Sequence, residues 1–348
     1  MSIYNRRKGN TLPKLDSDSG FFSNVDKTAD PLRESTDFGD IKTKSDGTML
    51  FTDEYPRICL DDLNVKELIG AGTQGTVSDV IHIPSGREFA MKNIHVIDKT
   101  TLQKTIDEIH SLRKLKHTNV VQLFTVFYQK GDIHILMDLV RGASLGDYIK
   151  VVPVVPEKAL GQIAIQCLSG LLFMRKNHIL HRDLKPSNVM VALDGSVKIA
   201  DFGLARQLRA TGDLAKSFTG TMSYMSPERI REDNYGLKSD VWSLGVILYQ
   251  CAIGKFPFGG MKIAFWDVNF DSSDEVDVKL PPECSENMRD FISRCLEVDT
   301  NARASIEELV EHPWAKEFSG IREFADLVSW VADAEQKRKA AKPVSESK

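Results

Sequence analysis

The stretch HRDLKPSN, His181 to Asn188, holds three side chains whose types and spacing suit one reaction. Asp183 can accept a proton from a hydroxyl, Lys185 can neutralise charge on a moving phosphoryl group, and Asn188, five positions after the aspartate, can bind Mg2+. Further on, the strand-like VKIA leads into DFG, where Asp201 would hold a Mg2+ that bridges the phosphates of ATP. Phosphoryl transfer asks little covalent help of a protein, so positioning and charge neutralisation carry most of the catalysis. These residue types supply both. His181 reads as packing support rather than as a base, and Phe202 as a core contact that orients the aspartate.

Two upstream features bear on the same chemistry. IGAGTQGTV places Gly70, Gly72 and Gly75 between two strands, where glycine lets the backbone turn tightly and approach phosphates with no Cβ in the way. The same spacing serves dinucleotide sites, but there it opens a helix, and here a strand follows. Lys92, in EFAMKNI, alternates with apolar neighbours, and a lysine so placed ordinarily faces solvent, as Glu108 ordinarily does on an amphipathic helix. As a pair they read differently: a helix glutamate bridging to a strand lysine would hold it straight toward ATP phosphates.

The elements that must position these groups follow from periodicity. LNVKELIG, TVSDVIHI and REFAMKNIHVI read as successive strands with polar turns such as PSG, which implies an antiparallel sheet. TTLQKTIDEIHSLRKLKH sets Leu102, Ile106, Ile109, Leu112 and Leu115 at helical spacing, and VVQLFTVFY and DIHILMDLV add two strands. From GASLGDYI onward the pattern is helical, and SDVWSLGVILYQCAIG is apolar nearly all round, as a buried helix is. The fold class is therefore α+β. A small antiparallel β lobe with one main helix (residues 56–140) and a larger, mainly helical lobe (141–316) leave a cleft near Met137 to Gly142. Residues 1–55 read as a flexible arm, 317–334 as a C-terminal helix and 335–348 as a disordered tail.

Composition closes off other classes. A net charge of -4 gives no reason to expect nucleic acid as a partner. The sequence shows no h-region after a basic start, no apolar run long enough to span a bilayer and no glycine at position 2, so the expectation is a cytoplasmic protein without membrane insertion. The five cysteines lie without metal-binding spacing and read as buried thiols.

Taken in order, GAGTQGTV, FAMK, Glu108, HRDLKPSN, DFG, SPE and SDVWSLG resemble the protein kinase family from about Leu63 to Ala315. The resemblance implies a two-lobed fold that binds Mg·ATP in its cleft, with Val77 and Ala90 beside the nucleotide, the hinge backbone of Asp138 to Val140 meeting adenine, and Met137 as gatekeeper. By motif, Glu228 would pair with Arg303 inside the large lobe and Asp240 would brace the HRD segment. LKPSN is similar to a Ser/Thr-type catalytic loop, and SFTGTMSYMSPERI with SDVWSLGVILYQCAIGKFPF resembles the MAP kinase kinases, which phosphorylate both Thr and Tyr in a MAP kinase. Two departures stand out: Asp138 where kinases commonly have Glu, and no proline-rich insert after PFGG.

Under the same resemblance, Asp201 to Glu228 is an activation segment. A phosphate on Ser217 would pair with Arg182, and Thr211 is a candidate second site, with Asp213 a partial mimic in the alternative spacing. The arm's Arg6, Arg7 and Lys8 with Leu12 and Leu15 look like a docking motif for the downstream MAP kinase. Ile321, Phe324, Leu327, Val328 and Val331 form one face of a helix that either packs on the large lobe or resembles a docking segment for an upstream MAP kinase kinase kinase. Other readings are an active kinase elsewhere in the same cascade and a pseudokinase scaffold.

Overall fold

The computed structural model of the chain describes residues 58–72, 75–95, 116–129, 131–201, 223–231, 236–257 and 280–341, together with the backbone of 41–43 and 49–51. Strands β1 (Ile41–Thr43) and β2 (Met49–Phe51) pair antiparallel, with Ile41 opposite Phe51. They fall within the stretch expected to be an unpacked arm. Two triplets rich in β-forming residues suffice for such a ribbon when a larger sheet lies alongside.

That larger sheet has five antiparallel strands in the order β3-β4-β5-β7-β6: β3 (Leu63–Gly72), β4 (Gly75–His82), β5 (Arg87–His95), β6 (Leu123–Gln129) and β7 (Asp132–Met137). It contains all five strands expected from the sequence, and β2 lies against β6. Both faces of its centre are covered, so alternation there separates two buried environments rather than core from solvent. Phe89 and Met91 join Val80, Phe127 and Leu136 in a small outer cluster closed by Ile58. Ala90 and Ile94 turn the other way, with Ile135 and Met137, into the main core, and Lys92 lies between them on that same face.

The chain then builds the large lobe. β8 (Gly142–Ser144) precedes α1 (Leu145–Val151), whose first turn is capped by Ser144 accepting from the Asp147 amide. α2 (Glu157–Lys176) follows, then β9 (Val189–Ala192) and β10 (Val197–Ile199), which with β8 form a three-stranded sheet. α3 (Pro227–Ile230) is a single turn, and α4 (Lys238–Ile253) is buried continuously from Ser239 to Leu248, as its all-round apolar sequence requires. α5 (Glu286–Cys295), α6 (Ile306–Val310), α7 (Pro313–Phe318) and α8 (Ala325–Ala341) complete the described chain. Burial raises the Cys167, Cys251 and Cys295 thiols above their ordinary range, so these three are packing groups.

α8 starts later and ends later than its hydrophobic pattern indicates. It runs to Ala341, seven residues past the boundary at 334, because Ala334 and Glu335 are buried against the lobe and Lys337–Asp333 and Arg338–Glu335 pairs support its polar end. Leu327 is 0% exposed and Trp330 packs edge-on to Tyr148 of α1. Phe324 lies before the helix, over the turn between β9 and β10, where Gly195 has φ of +79° and a Cβ there would come within 2.9 Å of Phe324.

Candidate active site

Gly72 and Gly75 face each other across the ends of β3 and β4, so the glycine-rich stretch is a strand-to-strand turn, as its sequence context indicates. Gly75 has φ of +119°, and a Cβ there would lie 1.9 Å from the Asn93 carbonyl oxygen, so only glycine fits. Below this turn, strand register puts Val77 opposite Lys92 and Ala90 opposite Met137, so all four share the face that looks into the cleft. Met137 ends β7 and is buried; Asp138 and Val140 follow in the linker between the lobes.

Lys92, read from alternation alone as solvent-facing, is 3% exposed, and its Nζ lies 2.7 Å from Asp201 Oδ1. Glu108, the partner expected for it, lies outside the described residues, as do Thr211, Ser217 and the arm residues Arg6, Arg7, Lys8, Leu12 and Leu15. Asp201 takes a left-handed backbone, φ +59°, immediately after the β10 segment. A non-glycine residue in that region costs free energy that its surroundings must supply. They do: the Ala200 amide donates to the Asn188 carbonyl at 2.8 Å, and the buried His181 ring bonds the Ala200 carbonyl at 2.9 Å.

His181 is 0% exposed. Its Nε2 must donate to that carbonyl, while Nδ1 accepts from the Asp183 amide at 3.2 Å, so the ring carries its proton on Nε2 and both nitrogens are occupied. It is a structural link, as its sequence context implies. Asp240 of α4 accepts from the His181 and Arg182 amides at 2.8 and 3.0 Å and so braces the segment. Arg182, whose φ is +66°, has its carbonyl held by Arg229 Nη1 at 2.7 Å.

The loop then closes on itself. Lys185 Nζ lies 3.0 Å from Asp183 Oδ2, and Asn188 Nδ2 donates to the Asp183 carbonyl at 2.7 Å and to Oδ2 at 3.2 Å. Asp183, Lys185 and Asn188 thus form one cluster and Lys92 with Asp201 a second that spans both lobes, and the Ala200 amide on the Asn188 backbone carbonyl ties the two together. With its side-chain Nδ2 on Asp183, Asn188 can turn its side-chain Oδ1 to a cation. Together with the Asp201 carboxylate, that is the oxygen donor set a hard divalent ion takes.

Below the site, Glu228 and Arg303 form a bidentate pair at 2.8 and 3.0 Å, with Ser239 donating to the same carboxylate. Burial pushes the Glu228 carboxyl up, but the hydrogen bonds and charge of the Arg303 guanidinium outweigh this and hold it at about 2. Two contributors carry no motif of their own in the sequence: Arg229, which holds the Arg182 carbonyl, and the buried Gln166, which accepts from the Val197 amide and donates to the Gly195 carbonyl and so ties α2 to the β9–β10 hairpin. Two glutamines four apart inside the apolar LGQIAIQCL were the available sign of such a tie.

Two lobes, a glycine turn above a lysine–aspartate pair, and an HRD loop braced from a buried helix define a phosphotransferase of the kinase type. The family model "Protein kinase domain" matches residues 63–315. The chain is 36% identical over 317 residues to "Mitogen-activated protein kinase kinase 2" of Arabidopsis thaliana, covering 85% of this chain and 86% of that one. It is 36% identical over 324 residues to "Mitogen-activated protein kinase kinase SIPKK" of Nicotiana tabacum, covering 87% and 90%, and 33% identical over 339 residues to "Dual specificity mitogen-activated protein kinase kinase dSOR1" of Drosophila melanogaster, covering 89% and 84%. The chain belongs to the protein kinase family and, within it, to the mitogen-activated protein kinase kinases. No helix among the described residues is long and apolar enough to cross a membrane.

Proposed function

We propose that this kinase transfers the γ-phosphate of ATP to the Thr and Tyr of a MAP kinase activation loop, acting in the cytoplasm and switched on by phosphorylation of its own Ser217. The observation that carries the reading is the Lys92–Asp201 pair set beside the Asp183–Lys185–Asn188 cluster, the two tied through the backbone by the Ala200 amide on the Asn188 carbonyl. Asp201 and Asn188 would hold Mg2+, which when bound supplies positive charge against the phosphates. Lys92 fixes the phosphate tail from above. Asp183 orients the incoming hydroxyl and takes its proton, and Lys185, on the same carboxylate, neutralises charge beside it.

The regulatory half rests on Arg182. Its Nε is buried without a hydrogen-bond partner among the described residues, while its backbone is clamped by Asp240 and Arg229. A phosphate, with roughly -1.5 to -2 charge, would satisfy such a guanidinium and couple the segment carrying Ser217, and Thr211 as second site, to Asp183 next to it. An upstream MAP kinase kinase kinase supplies that phosphate. Arg6, Arg7 and Lys8 with Leu12 and Leu15 hold the MAP kinase, where tethering raises effective concentration to about millimolar. In the C-terminal segment, packing accounts for Leu327, so any upstream docking there uses the exposed polar side of α8.

Labelled phosphate transfer from Mg·ATP to a panel of catalytically dead MAP kinases tests the reading, using Ser217→Glu as the active form and Asp183→Asn as control. Label on both Thr and Tyr of one panel member, absent in the control, is expected. Label on generic Ser/Thr substrates alone would place the kinase elsewhere in the cascade, and label unaffected by Asp183→Asn would remove the aspartate from the mechanism.

A further inference from the structure

The linker between the lobes is tied down at both ends by side chains that no nucleotide contact requires. At its start, Asp138 turns its carboxylate away from the cleft, where Oδ2 accepts from the Gln122 amide at 3.1 Å and from Lys198 Nζ at 2.9 Å. Lys198 belongs to β10, three residues before Asp201. At its end, Arg141 reaches up to the small sheet: Nη1 donates to Asp79 Oδ2 at 3.1 Å on β4, and Nη2 donates to Glu88 on β5. Strand register places Asp79 opposite Ala90 and Ala90 opposite Met137, so Arg141 grips the same sheet face that roofs the cleft.

From this geometry we infer that Arg141 is a positioning residue for the nucleotide: by pinning the linker to Asp79 it fixes the width of the slot that receives adenine. Asp79 is 2% exposed, and its other oxygen has no hydrogen-bond partner among the described residues. Its charge therefore relies on Arg141, and opening the slot far enough to part them strands a buried carboxylate, which is costly. The Arg141 side chain is itself 54% exposed, so solvent weakens the tie without removing it. Glu88 adds a second, exposed contact on the neighbouring strand, so the guanidinium straddles β4 and β5 and resists sliding as well as opening. The effect on nucleotide is a conformational one: a linker free to drift populates fewer slots of the right width, and apparent affinity falls by that fraction.

The inference rests on the cleft being a nucleotide site, and the test separates the two. Equilibrium binding of Mg·ATP and of adenosine is measured on the full chain for wild type, Arg141→Asp, Asp79→Lys and the double variant. Each single variant is expected to bind both ligands about tenfold more weakly, and the double, with the pair reversed, to recover to within about threefold of wild type. Adenosine is the deciding ligand because it is uncharged. Loss of ATP binding with adenosine unchanged would mean that Arg141 acts on the phosphates through its field, which overturns the proposal, as would a double variant no better than Arg141→Asp. If Arg141→Asp does not fold, Arg141→Gln, which removes only the charge at a half-exposed site, takes its place with about threefold weakening expected for both ligands; unchanged adenosine binding would then overturn the proposal. A wild-type chain that binds neither ligand overturns the nucleotide reading, and this one with it.

Discussion

Two ion pairs, one in the cleft and one beneath it, are built to opposite ends. Lys92 and Asp201 meet through one bond of 2.7 Å, with the lysine side chain 4% and the aspartate 31% exposed, and the aspartate held in a left-handed backbone. Glu228 and Arg303 meet through two bonds, at 5% and 0% side-chain exposure, and Arg303 spends further donors on the Glu297 and Lys238 carbonyls and stacks 5.1 Å over Trp242. The second pair leaves hardly a donor unused. The first keeps one partner half open to the cleft, as an ion pair must if its members are to take up phosphates and a metal. Burial of both partners marks the pair that holds the lobe together, and the exposure of Asp201 marks the pair that works.

Of the two pairs, the buried Glu228–Arg303 pair should matter most to stability. Arg303→Ala leaves a buried carboxylate with no counter-charge and should cost about 3–5 kcal/mol of unfolding free energy by denaturant titration. Replacing both partners by methionine should restore most of that, because the penalty lies in the stranded charge. A loss below about 1 kcal/mol for Arg303→Ala would show the pair to be ornamental.

Acid should expose the same pair. The folded-state carboxyl of Glu228 sits at about 2 against an ordinary value of 4.5, so its contribution is complete above that ordinary value and is lost as pH falls through it toward 2. The expected loss over that window is about 2–3 kcal/mol. Glu228→Gln, less stable at neutral pH, should show a correspondingly shallower acid slope. Equal slopes in the two proteins would mean that other carboxylates set the acid response.

Much of this was legible in the sequence for a plain reason: glycine turns, strand alternation and an all-apolar helix are local properties. The five sheet strands, the buried α4 and the HRD loop all follow from neighbours within a few residues. What escaped is non-local. Alternation placed Lys92 on one face of β5 correctly but could not say that the face lies under a cleft, 109 residues from its partner Asp201. Arg141 and Asp79 are 62 residues apart, and neither carries a local mark of the other. The end of α8 was missed because its last turns are held by Arg338–Glu335 and Lys337–Asp333 pairs, while the hydrophobic stripe that announces a helix stops at Ala334.

The cleft pair should respond in the opposite way, with little change in stability and a large loss of activity. Lys92→Met keeps the volume and apolar stem of a side chain that sits between Ala90 and Ile94 on the covered sheet face, and it leaves Asp201 with access to water. Unfolding free energy without nucleotide should change by no more than about 1 kcal/mol. Phosphate transfer should fall by at least about 100-fold, because the group that neutralises and aims the phosphates is gone. A pair whose loss barely moves stability yet removes activity is one whose geometry is kept for the reaction. If Lys92→Met cost as much as Arg303→Ala, the openness of Asp201 would carry no functional meaning, and the two pairs would differ only in depth.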